Sequence, residues 1–445
     1  MSQRLIIHQF GPIANIDIDV NDILVFIGSQ ASGKSTVSKA IFFFKSLRDD
    51  LYRYYLDCYN QKKFDNSIFD FAKLVRQKFR KIYGTLIQPS NIKLEYEYRN
   101  GIKICINNSE TELININFSE DFINKFKRIM DKCQNLYNKL HKKVSNFPSS
   151  RERTIIESQK AALFEYIGTE LNWLFRDDRD IIFLPAGRSL ITTLSQQRYN
   201  IDMGDELHGE LESDSLTKLD YLMQDFITRI DQAKPIFEKG IDTLVAEHIS
   251  NSNPETIEII NLAQDLINSI LRGSYGYSKG VERITFENGK STLINFASSG
   301  QQEVIWILLI TLLLILNNRK VFLVVEEPEA HLFPVAQKQI IDLIALLANQ
   351  NDNQILLTTH SPYILSSFNN LLYAHKLGAT KPEEISTVID HHLWIRSSRL
   401  DAYILEEGIA RLIVDHEVGL IESAEIDRAS NIIVDTFNQL FDLED

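Results

Sequence analysis

The chain has 445 residues, of which 44% are hydrophobic and 24% are charged. This length exceeds one ordinary compact core, and the composition excludes a disordered or fibrous protein. Lys and Arg total 47 against 60 Asp and Glu, so the net charge of −13 excludes a protein that is basic throughout.

The charge is unevenly distributed along the chain. Residues 61–160 carry 20 Lys and Arg and 11 Asp and Glu, a local net charge of +9. Residues 401–445 carry 2 basic and 12 acidic residues. A basic arm on an acidic body is compatible with nucleic-acid binding at one place and protein contacts at another, and also with solvated helix faces.

Targeting and redox signals are absent from the sequence. Cys58, Cys105 and Cys133 are widely spaced, which predicts neither a zinc site nor a disulfide framework. The first ten residues lack the basic region and cleavage site of a secretory signal. The most apolar run, 304–316, has 13 residues, short of the ~20 that span a bilayer. We therefore expect a reduced, cytoplasmic protein with no membrane contact.

The first part of the chain predicts strands that lead into a loop and a helix. Apolar periodicity gives strands at 5–10, 13–20 and 23–27, the last buried on both faces, and a helix at 34–47. Helical spacing follows over 51–83 and 120–178. Between them, the alternation at 92–98 and 102–106 predicts a hairpin, and Asn100-Gly101 favours a type I′ turn. A third strand at 113–118 is possible.

The second part alternates buried strands with helices. Strands are predicted at 181–184, 321–325 and 355–358, a second hairpin at 283–296, and a long apolar helix at 301–316. This alternation predicts an α/β fold with a mostly parallel core sheet, together with an antiparallel β-subdomain and helical inserts. The predicted segments are a core part at 1–50, a basic insert at 51–180, a core strand with helices at 181–280, a second core part at 281–390 and an acidic C-terminal cap at 391–445. The acidic residues of this last segment predict either a helical cap or a docking face.

The strongest motif is a glycine-bearing loop between the strand at 23–27 and the following helix. It fits the phosphate-binding pattern GxxxxGK[ST] in the strand–loop–helix context that this pattern requires. Its backbone N–H groups and the helix N-terminus can hold phosphates, Lys34 can reach the β- and γ-phosphates, and Ser35 can offer its hydroxyl to Mg²⁺. The residues predicted to bind ATP here are Gly28, Ser29, Gln30, Ala31, Ser32, Gly33, Lys34, Ser35 and Thr36.

A pair of carboxylates forms the second motif. Glu326 and Glu327 directly follow the buried strand at 321–325. In ATPases, such a pair places one acid beside Mg²⁺ and a second acid beside the attacking water. We assign the metal role to Glu326, where Asp is more usual, and the water-orienting role to Glu327. The alternative is a strand that simply ends at solvent.

Two further segments are weak when considered alone. Ser298–Glu303 heads the long apolar helix, and a Ser-Gly turn there is often only a helix cap. His360 follows the strand at 355–358, where a lone histidine is often structural.

In this order, however, the four segments resemble the ABC-type ATPase heads of the SMC, RecF and overcoming-lysogenization-defect group, a set of AAA-family ATPases. The resemblance runs from Leu5 to about Leu372. Lys34 falls on the Walker A lysine, Ser299-Gly300-Gln301 resembles the signature segment, and Glu326-Glu327 resembles Walker B. Residues 329–334 resemble the dimer-contacting D-loop segment, and His360 falls on the switch histidine.

The resemblance implies a head-to-tail homodimer, or a higher homo-oligomer, that encloses ATP and Mg²⁺. Ser299, Gly300 and Gln301 of one protomer would close on the ATP held by the other. Lys34, Glu327 and His360 would be catalytic, and Ser35 and Glu326 would bind the metal. Arg188, in the segment Pro185-Ala186-Gly187-Arg188, either contacts phosphate or the neighbouring head, or is a surface residue that caps a helix.

The sequence also suggests what the ATPase controls. After the switch region we find no Asp-x-Asp following a strand, and we interpret His391-His392 as surface histidines, so no nuclease domain is predicted. The chain resembles the ATPase subunits of two-gene anti-phage systems of the PARIS and Septu types. This resemblance implies a sensor and scaffold subunit that controls a separate nuclease effector.

Two other readings remain open. A RecF-like clamp would bind DNA through the basic arm at 61–160. A transporter ATPase subunit is disfavoured by the long inserts and by the segment 329–334. The arm residues that the clamp would use are Lys62, Lys63, Arg80, Lys81, Lys127, Arg128, Lys142 and Lys143.

Overall fold

The computed structural model describes residues 3–65, 67–84, 91–108, 114–141, 150–194, 220–250 and 252–443. Lys142 and Lys143 of the basic arm, and the predicted start of a strand at residue 113, lie outside these ranges. The chain divides into two compact units. The first comprises Met1–Val20, Ala31–Ile181 and Glu406–Ala410, and the second comprises Asn21–Gln30, Ile182–Leu405 and Arg411–Asp445.

The first unit contains antiparallel strands in the order β6-β5-β4-β1-β2, with β14 parallel to β2. Burial alternates along β4 and most of β2, as expected where one face of a sheet is packed. The strands are β1 (Gln3–Phe10), β2 (Ile13–Val20), β4 (Lys93–Glu97), β5 (Lys103–Asn108), β6 (Ile114–Phe118) and β14 (Ile409–Leu412).

The turn between β4 and β5 differs from the predicted type I′ turn. A type I′ turn needs positive φ at both central residues, but here Gly101 is left-handed (φ 81°) and Asn100 is not. The N–H of Gly101 donates to Tyr98 O, and the N–H of Tyr98 donates to Ile102 O, both at 2.8 Å. The hairpin therefore closes with a three-residue loop, in which glycine alone takes the left-handed position.

Within the described residues, the helices of the first unit are α1 (Lys34–Gln61), α2 (Ile68–Tyr83), α3 (Glu120–His141) and α4 (Ser150–Phe175). The helix predicted at 34–47 thus continues to Gln61.

Lys45 of α1 is buried and donates to Asp177 at 2.6 Å. Burial lowers the pKa of Lys45 to about 8. Burial raises the pKa of Asp177, but the adjacent cations Lys45 and Arg179 outweigh it and hold that pKa well below its usual value. This ion pair fixes α1 to the end of α4.

The second unit contains a five-stranded layer in the order β13-β3-β12-β11-β7. Strands β13, β3, β12 and β11 are parallel neighbours, which confirms the predicted mixed α/β class with a parallel core. The strands are β3 (Ile23–Ile27), β7 (Asp180–Leu184), β11 (Val321–Glu326), β12 (Gln354–Thr359) and β13 (Leu400–Glu406).

The segment 391–445, predicted as an acidic C-terminal cap, contributes a strand to the core sheet. Strand β13 lies beside β3 in the core sheet, and six of its seven residues are buried. Its apolar stretch contains Asp401 and is followed by Glu406 and Glu407, so the acidic composition obscured the strand in the sequence. A second two-stranded pairing, β15 (Val414–Asp415) with β16 (Leu420–Ile421), precedes the final helix.

The second unit also contains helices and a small antiparallel sheet with the strand order β10-β9-β8. Its strands are β8 (Ser274–Ser278), β9 (Val281–Thr285) and β10 (Ser291–Leu293). The helices are α5 (Ser189–Leu194), α6 (Tyr221–Ala233), α7 (Ile241–Ile249), α8 (Pro254–Leu271), α9 (Ser299–Leu316), α10 (Pro334–Ala348), α11 (Pro362–Gly378), α12 (Pro382–Ser386) and α13 (Ser423–Phe441).

Helix α9 is apolar on all sides. Within the described residues it is the one helix that is long and apolar enough to cross a membrane, but 72% of it is buried inside the protein. A helix that is hydrophobic all round is typical of a protein core. Helix α9 therefore serves as the central core helix of the second unit.

Candidate functional site

Three parallel strands of the second unit end together. Thr359 pairs with Ile27, and Thr358 pairs with both Phe26 and Glu326, so β3, β12 and β11 are in register at their carboxyl ends. The residues that follow these strands therefore meet at one sheet edge, the usual ligand-binding edge of a parallel sheet. They are Gly28–Gln30 of the predicted phosphate loop, Glu327 and His360.

Glu327 has an unusual backbone conformation. Its φ is 46°, a left-handed value that is uncommon for a residue with a side chain. Its N–H donates to Thr358 O at 2.9 Å. Its carboxylate Oε1 lies 3.2 Å from His360 Nε2, and both side chains are about one-third exposed (37% and 32%). The carboxylate therefore faces the sheet edge and is accessible to solvent.

Glu326 and His360 are held by different contacts. Glu326 is buried, and its Oε2 accepts a long hydrogen bond from Ala186 N at 3.4 Å. The backbone N–H of His360 and the hydroxyl of Thr359 both donate to Glu329 Oε1 at 2.7 Å. Glu329 of the segment after β11 thus fixes the residue that faces Glu327.

The rest of the phosphate loop belongs to the first unit. Gly33 is the N-cap of α1, with φ 103°, and a Cβ at this position would lie 2.3 Å from Ile13 Cδ1, so no other residue fits without strain. The helix has no side-chain cap and no acidic residue in its first turn. Its N-terminal dipole is therefore not offset by a side-chain charge.

The side chains of this loop suit phosphate and a hard cation. Lys34 is buried, with Nζ 3.5 Å from Ser32 Oγ, whereas Ser35 is exposed. Hydroxyl and carboxylate oxygens, as in Ser35 and Glu326, are the ligand types that Mg²⁺ prefers. The residues present therefore match the chemistry of a magnesium–nucleotide ligand.

The signature-like turn begins α9. Ser298 is the N-cap and forms a capping box with Gln301, whose Nε2 also donates to Leu271 O at 2.8 Å. The side chain of Gln301 is therefore engaged in local structure, and its predicted contact with ATP stays a prediction. Ser299 is exposed. A Cβ on Gly300 would lie 2.7 Å from His331 O, so the turn packs directly against the segment that resembles the D-loop.

Large apolar side chains are exposed on both sides of this turn. Phe296 is 75% exposed, Phe333 is 72% exposed and Val335 is 61% exposed. Exposed apolar groups of this size, next to polar and glycine residues, are typical of an interaction surface. We call Phe296, Ser299, Gly300, Phe333 and Val335 the signature surface.

Comparison with family models shows the family to which the chain belongs. The sequence profile of the AAA ATPase domain matches residues 1–365, well over half of the chain. The chain belongs to the AAA ATPase domain family. No curated protein matches it.

Several solved structures are similar to this AAA ATPase. The SMC head domain from Thermotoga maritima has 12% identity and a TM-score of 0.34, and the match covers 93% of this chain and 98% of that one. The Smc head from Pyrococcus furiosus, bound to the C-terminal domain of ScpA, has 11% identity, a TM-score of 0.38 and coverage of 97% and 98%. The dimeric ABC transporter cassette MJ0796 has 11% identity, a TM-score of 0.31 and coverage of 92% and 96%.

Arg188 of the AAA ATPase contradicts one of its two sequence-based predictions, that of a surface residue. It is 1% exposed, so it is not a surface residue. Its guanidinium donates to Pro185 O at 2.6 Å, Glu326 O at 2.7 Å and Glu327 O at 2.8 Å, and its Nε donates to Glu303 O at 2.8 Å. Burial lowers the pKa of Arg188, while Glu303, Glu326, Glu329 and Glu327 raise it. Arg188 thus holds the backbone of the carboxylate pair.

Glu303 is a site residue to which the sequence analysis gave no role. It is 3% exposed, and its carboxylate accepts from Arg188 N and Ser189 N at 3.0 Å and from Ser189 Oγ at 2.7 Å. A sequence signal was available, since Glu303 directly precedes the 13-residue apolar run of α9. A charge at the head of a buried helix predicts a buried partner.

The interpretation of His391 and His392 as surface histidines is correct for His391 only. Both lie in a 3-10 helix (His391–Leu393) with ring centroids 4.0 Å apart, and His392 is 9% exposed against 57% for His391. His392 Nδ1 lies 2.9 Å from Asp390 Oδ1. Among the described residues, Asp390, His391 and His392 form the one group whose ligand atoms are close enough for a metal ion. The Asp390 bonds also cap this helix, which explains the cluster without a metal.

Proposed function

We propose that this AAA ATPase binds ATP with Mg²⁺ in the loop Gly28–Thr36 and hydrolyses it. The observation that carries the proposal is the pairing of Glu327 with His360, 3.2 Å apart, at the edge where β3 enters the phosphate loop. A solvent-accessible carboxylate beside a histidine can orient water for attack, and this pair lies next to the loop that is predicted to hold the phosphates.

Each residue has a distinct role in this proposal. Lys34 and the N-terminus of α1 neutralise the negative charge of the phosphates, because the lysine is a cation and the helix N-terminus carries a partial positive charge. Ser35 and Glu326 hold Mg²⁺, which supplies charge neutralisation on the β- and γ-phosphates. Glu327 orients the attacking water, and His360 positions the Glu327 carboxylate and contacts the γ-phosphate.

We further propose that ATP is enclosed between two copies of the chain, which meet head to tail. Ser299 and Gly300 of one copy then complete the site of the other, with Gln301 at the edge of the contact. The exposure of Phe296, Phe333 and Val335 supports this arrangement, because a second copy would bury these apolar groups together with the turn.

Replacing Phe333 with Asp should prevent ATP-dependent dimerisation while leaving the isolated protomer folded. The side chain is 72% exposed, so the substitution costs little in the monomer but places a charge in an apolar interface. The mass in solution with ATP and Mg²⁺, measured by light scattering, should remain that of a monomer. Val388→Asp, at an equally exposed valine (78%), is the matched control and should dimerise normally. Dimerisation of Phe333→Asp would argue against the signature surface.

The finer proposal is that the ATPase is the sensor and scaffold subunit of a two-component anti-phage defence system and controls a separate nuclease. Its support is the family resemblance of the sequence together with the apolar face of α13, which suggests a protein partner. The exposed large apolar residues of α13 are Ile432, Ile433, Val434, Phe437, Leu440 and Phe441.

Affinity purification from the native host tests this partner. Tagged Glu327→Gln protein, kept with ATP and Mg²⁺, should retain the nuclease, which mass spectrometry would identify. Lys34→Ala protein is the control for the nucleotide-bound state. Recovery of the ATPase alone, or of the ATPase with DNA alone, would contradict the defence proposal.

The RecF-like alternative is favoured by the exposure of the described arm cations Lys62, Lys63, Arg80, Lys81, Lys127 and Arg128. If this arm binds DNA, Lys127→Glu with Arg128→Glu should weaken duplex binding and reduce the slope of log K against log salt by about 2, close to one per phosphate contact. Fluorescence anisotropy across a salt series would measure this. Lys239→Glu with Lys381→Glu, two exposed lysines of the second unit, is the control. An unchanged slope would leave the arm as a solvated face.

A further inference from the structure

Arg188 connects two parts of the proposed site through the interior of the second unit. One end of the side chain binds the backbone carbonyls of Glu326 and Glu327, at 2.7 and 2.8 Å. These two carbonyls belong to the peptides that set where both carboxylates point. The orientation of the guanidinium and the direction of Glu327 are therefore mechanically linked.

The other end of the network is Glu303, the fifth residue of α9. Glu303 binds Arg188 both through its carboxylate, at 3.0 Å from the N–H, and through its own carbonyl, at 2.8 Å from Nε. Glu303 is four residues after Ser299, so it lies one helical turn from the exposed signature residues on the same face. Movement of that turn displaces the acceptor of Arg188.

The energetics argue for a geometric role. Arg188 and Glu303 are 1% and 3% exposed, and removing two charges from water is costly even when they pair. Well-packed apolar residues would often be no less stable in their place. The fork of the guanidinium, by contrast, meets carbonyls in fixed directions that an ammonium group cannot reproduce. The pair thus sets the shape of this region more than it adds stability.

We infer that Arg188 and Glu303 are positioning residues that couple the first turn of α9 to the backbone of Glu327. The inference rests on the proposed function. A second copy that contacts Ser299 and Gly300 fixes the position of this turn. Glu303 and Arg188 then fix the position of the peptide after β11. The water-orienting carboxylate is then correctly placed only while the signature turn is engaged.

Arg188→Lys tests this inference by separating catalysis from binding. The kcat for ATP should fall at least about 10-fold while KM changes by less than about 3-fold, because the substitution moves Glu327 and leaves the phosphate loop intact. Arg399→Lys is the control, since the Arg399 guanidinium is likewise held by several hydrogen bonds, to Asp22, Asn349 and Ala348 O, but lies outside the proposed site. Both variants should melt at lower temperature, but Arg399→Lys should keep wild-type kcat.

A double-mutant cycle tests the coupling itself. Glu303→Gln should lower kcat, and Arg188→Lys with Glu303→Gln should be no slower than the slower single variant, because both act through one connection. The inference would be overturned if the loss of kcat in the double variant equalled the product of the losses in the two single variants. It would also be overturned if folded Arg188→Lys protein had the wild-type kcat. If Arg188→Lys does not fold, Ser189→Ala replaces it, because it removes the 2.7 Å hydrogen bond from the Ser189 hydroxyl to Glu303 and keeps the bond from the Ser189 backbone N–H. The kcat should then fall with constant KM, and an unchanged kcat would overturn the inference.

Failure of the proposed function looks different. In that case the wild-type protein would hydrolyse no ATP, or Lys34→Ala would hydrolyse it normally. Wild-type turnover that depends on Lys34 but not on Arg188 would overturn the coupling alone.

Discussion

Glu327→Gln should bind ATP, form a stable dimer and hydrolyse ATP at least about 100-fold more slowly than the wild type, the usual effect of losing a general base or water-orienting acid. Gln has nearly the same shape as Glu, so the left-handed backbone and the contact with His360 are retained. The amide, however, cannot accept a proton from water. The ATP-bound state therefore accumulates.

Phosphate release and mass in solution, measured on the same preparation, check this result. Glu407→Gln is the matched control, because Glu407 is a second exposed glutamate with left-handed geometry (φ 51°) directly after a strand. It should cycle as the wild type does. If Glu327→Gln also cycles normally, Glu327 is not the water-orienting acid.

Lys34→Ala should abolish turnover, with a loss of at least about 100-fold, because it removes the cation opposite the β- and γ-phosphates. ATP binding should weaken as well, so no ATP-dependent dimer should form. This outcome distinguishes it from Glu327→Gln, which retains the dimer. Binding of a fluorescent ATP analogue and phosphate release are the two measurements.

The control for Lys34→Ala is Lys39→Ala, one turn further along α1 and only half-buried. Since Lys34 is buried, the thermal unfolding of both variants must be compared with that of the wild type. A folded Lys34→Ala protein with full turnover would refute the phosphate-loop assignment.

Much of the sheet edge could be predicted from local sequence. The strands β3, β11 and β12 are continuous apolar runs, and each is followed at once by the chemistry-bearing residue: Gly28, Glu327 or His360. In a parallel sheet the carboxyl ends of strands share one edge, so pattern and position together were sufficient. The left-handed conformation of Glu327 was not predictable, because glutamate has no intrinsic preference for it.

The roles of Arg188 and β13 required information that a local pattern does not contain. Arg188 reaches Glu326 and Glu327 across 138 and 139 positions of sequence, so its partners depend on how the strands are ordered in the sheet. Strand β13 lies within an acidic segment, and the acidic composition of 401–445 outweighed its apolar residues. In both cases tertiary position overrode the local signal.

The central claim is that each ATP is enclosed by Lys34 of one copy and Ser299 of the other. Mixing two inactive variants, Lys34→Ala and Ser299→Arg, tests it directly by phosphate release. Each mixed dimer has one complete site and one site that lacks both residues, so the mixture should recover turnover that neither variant shows alone, about a quarter of the wild-type rate if pairing is random. If the mixture stays as inactive as its components, the two residues do not act across a dimer, and the account is contradicted.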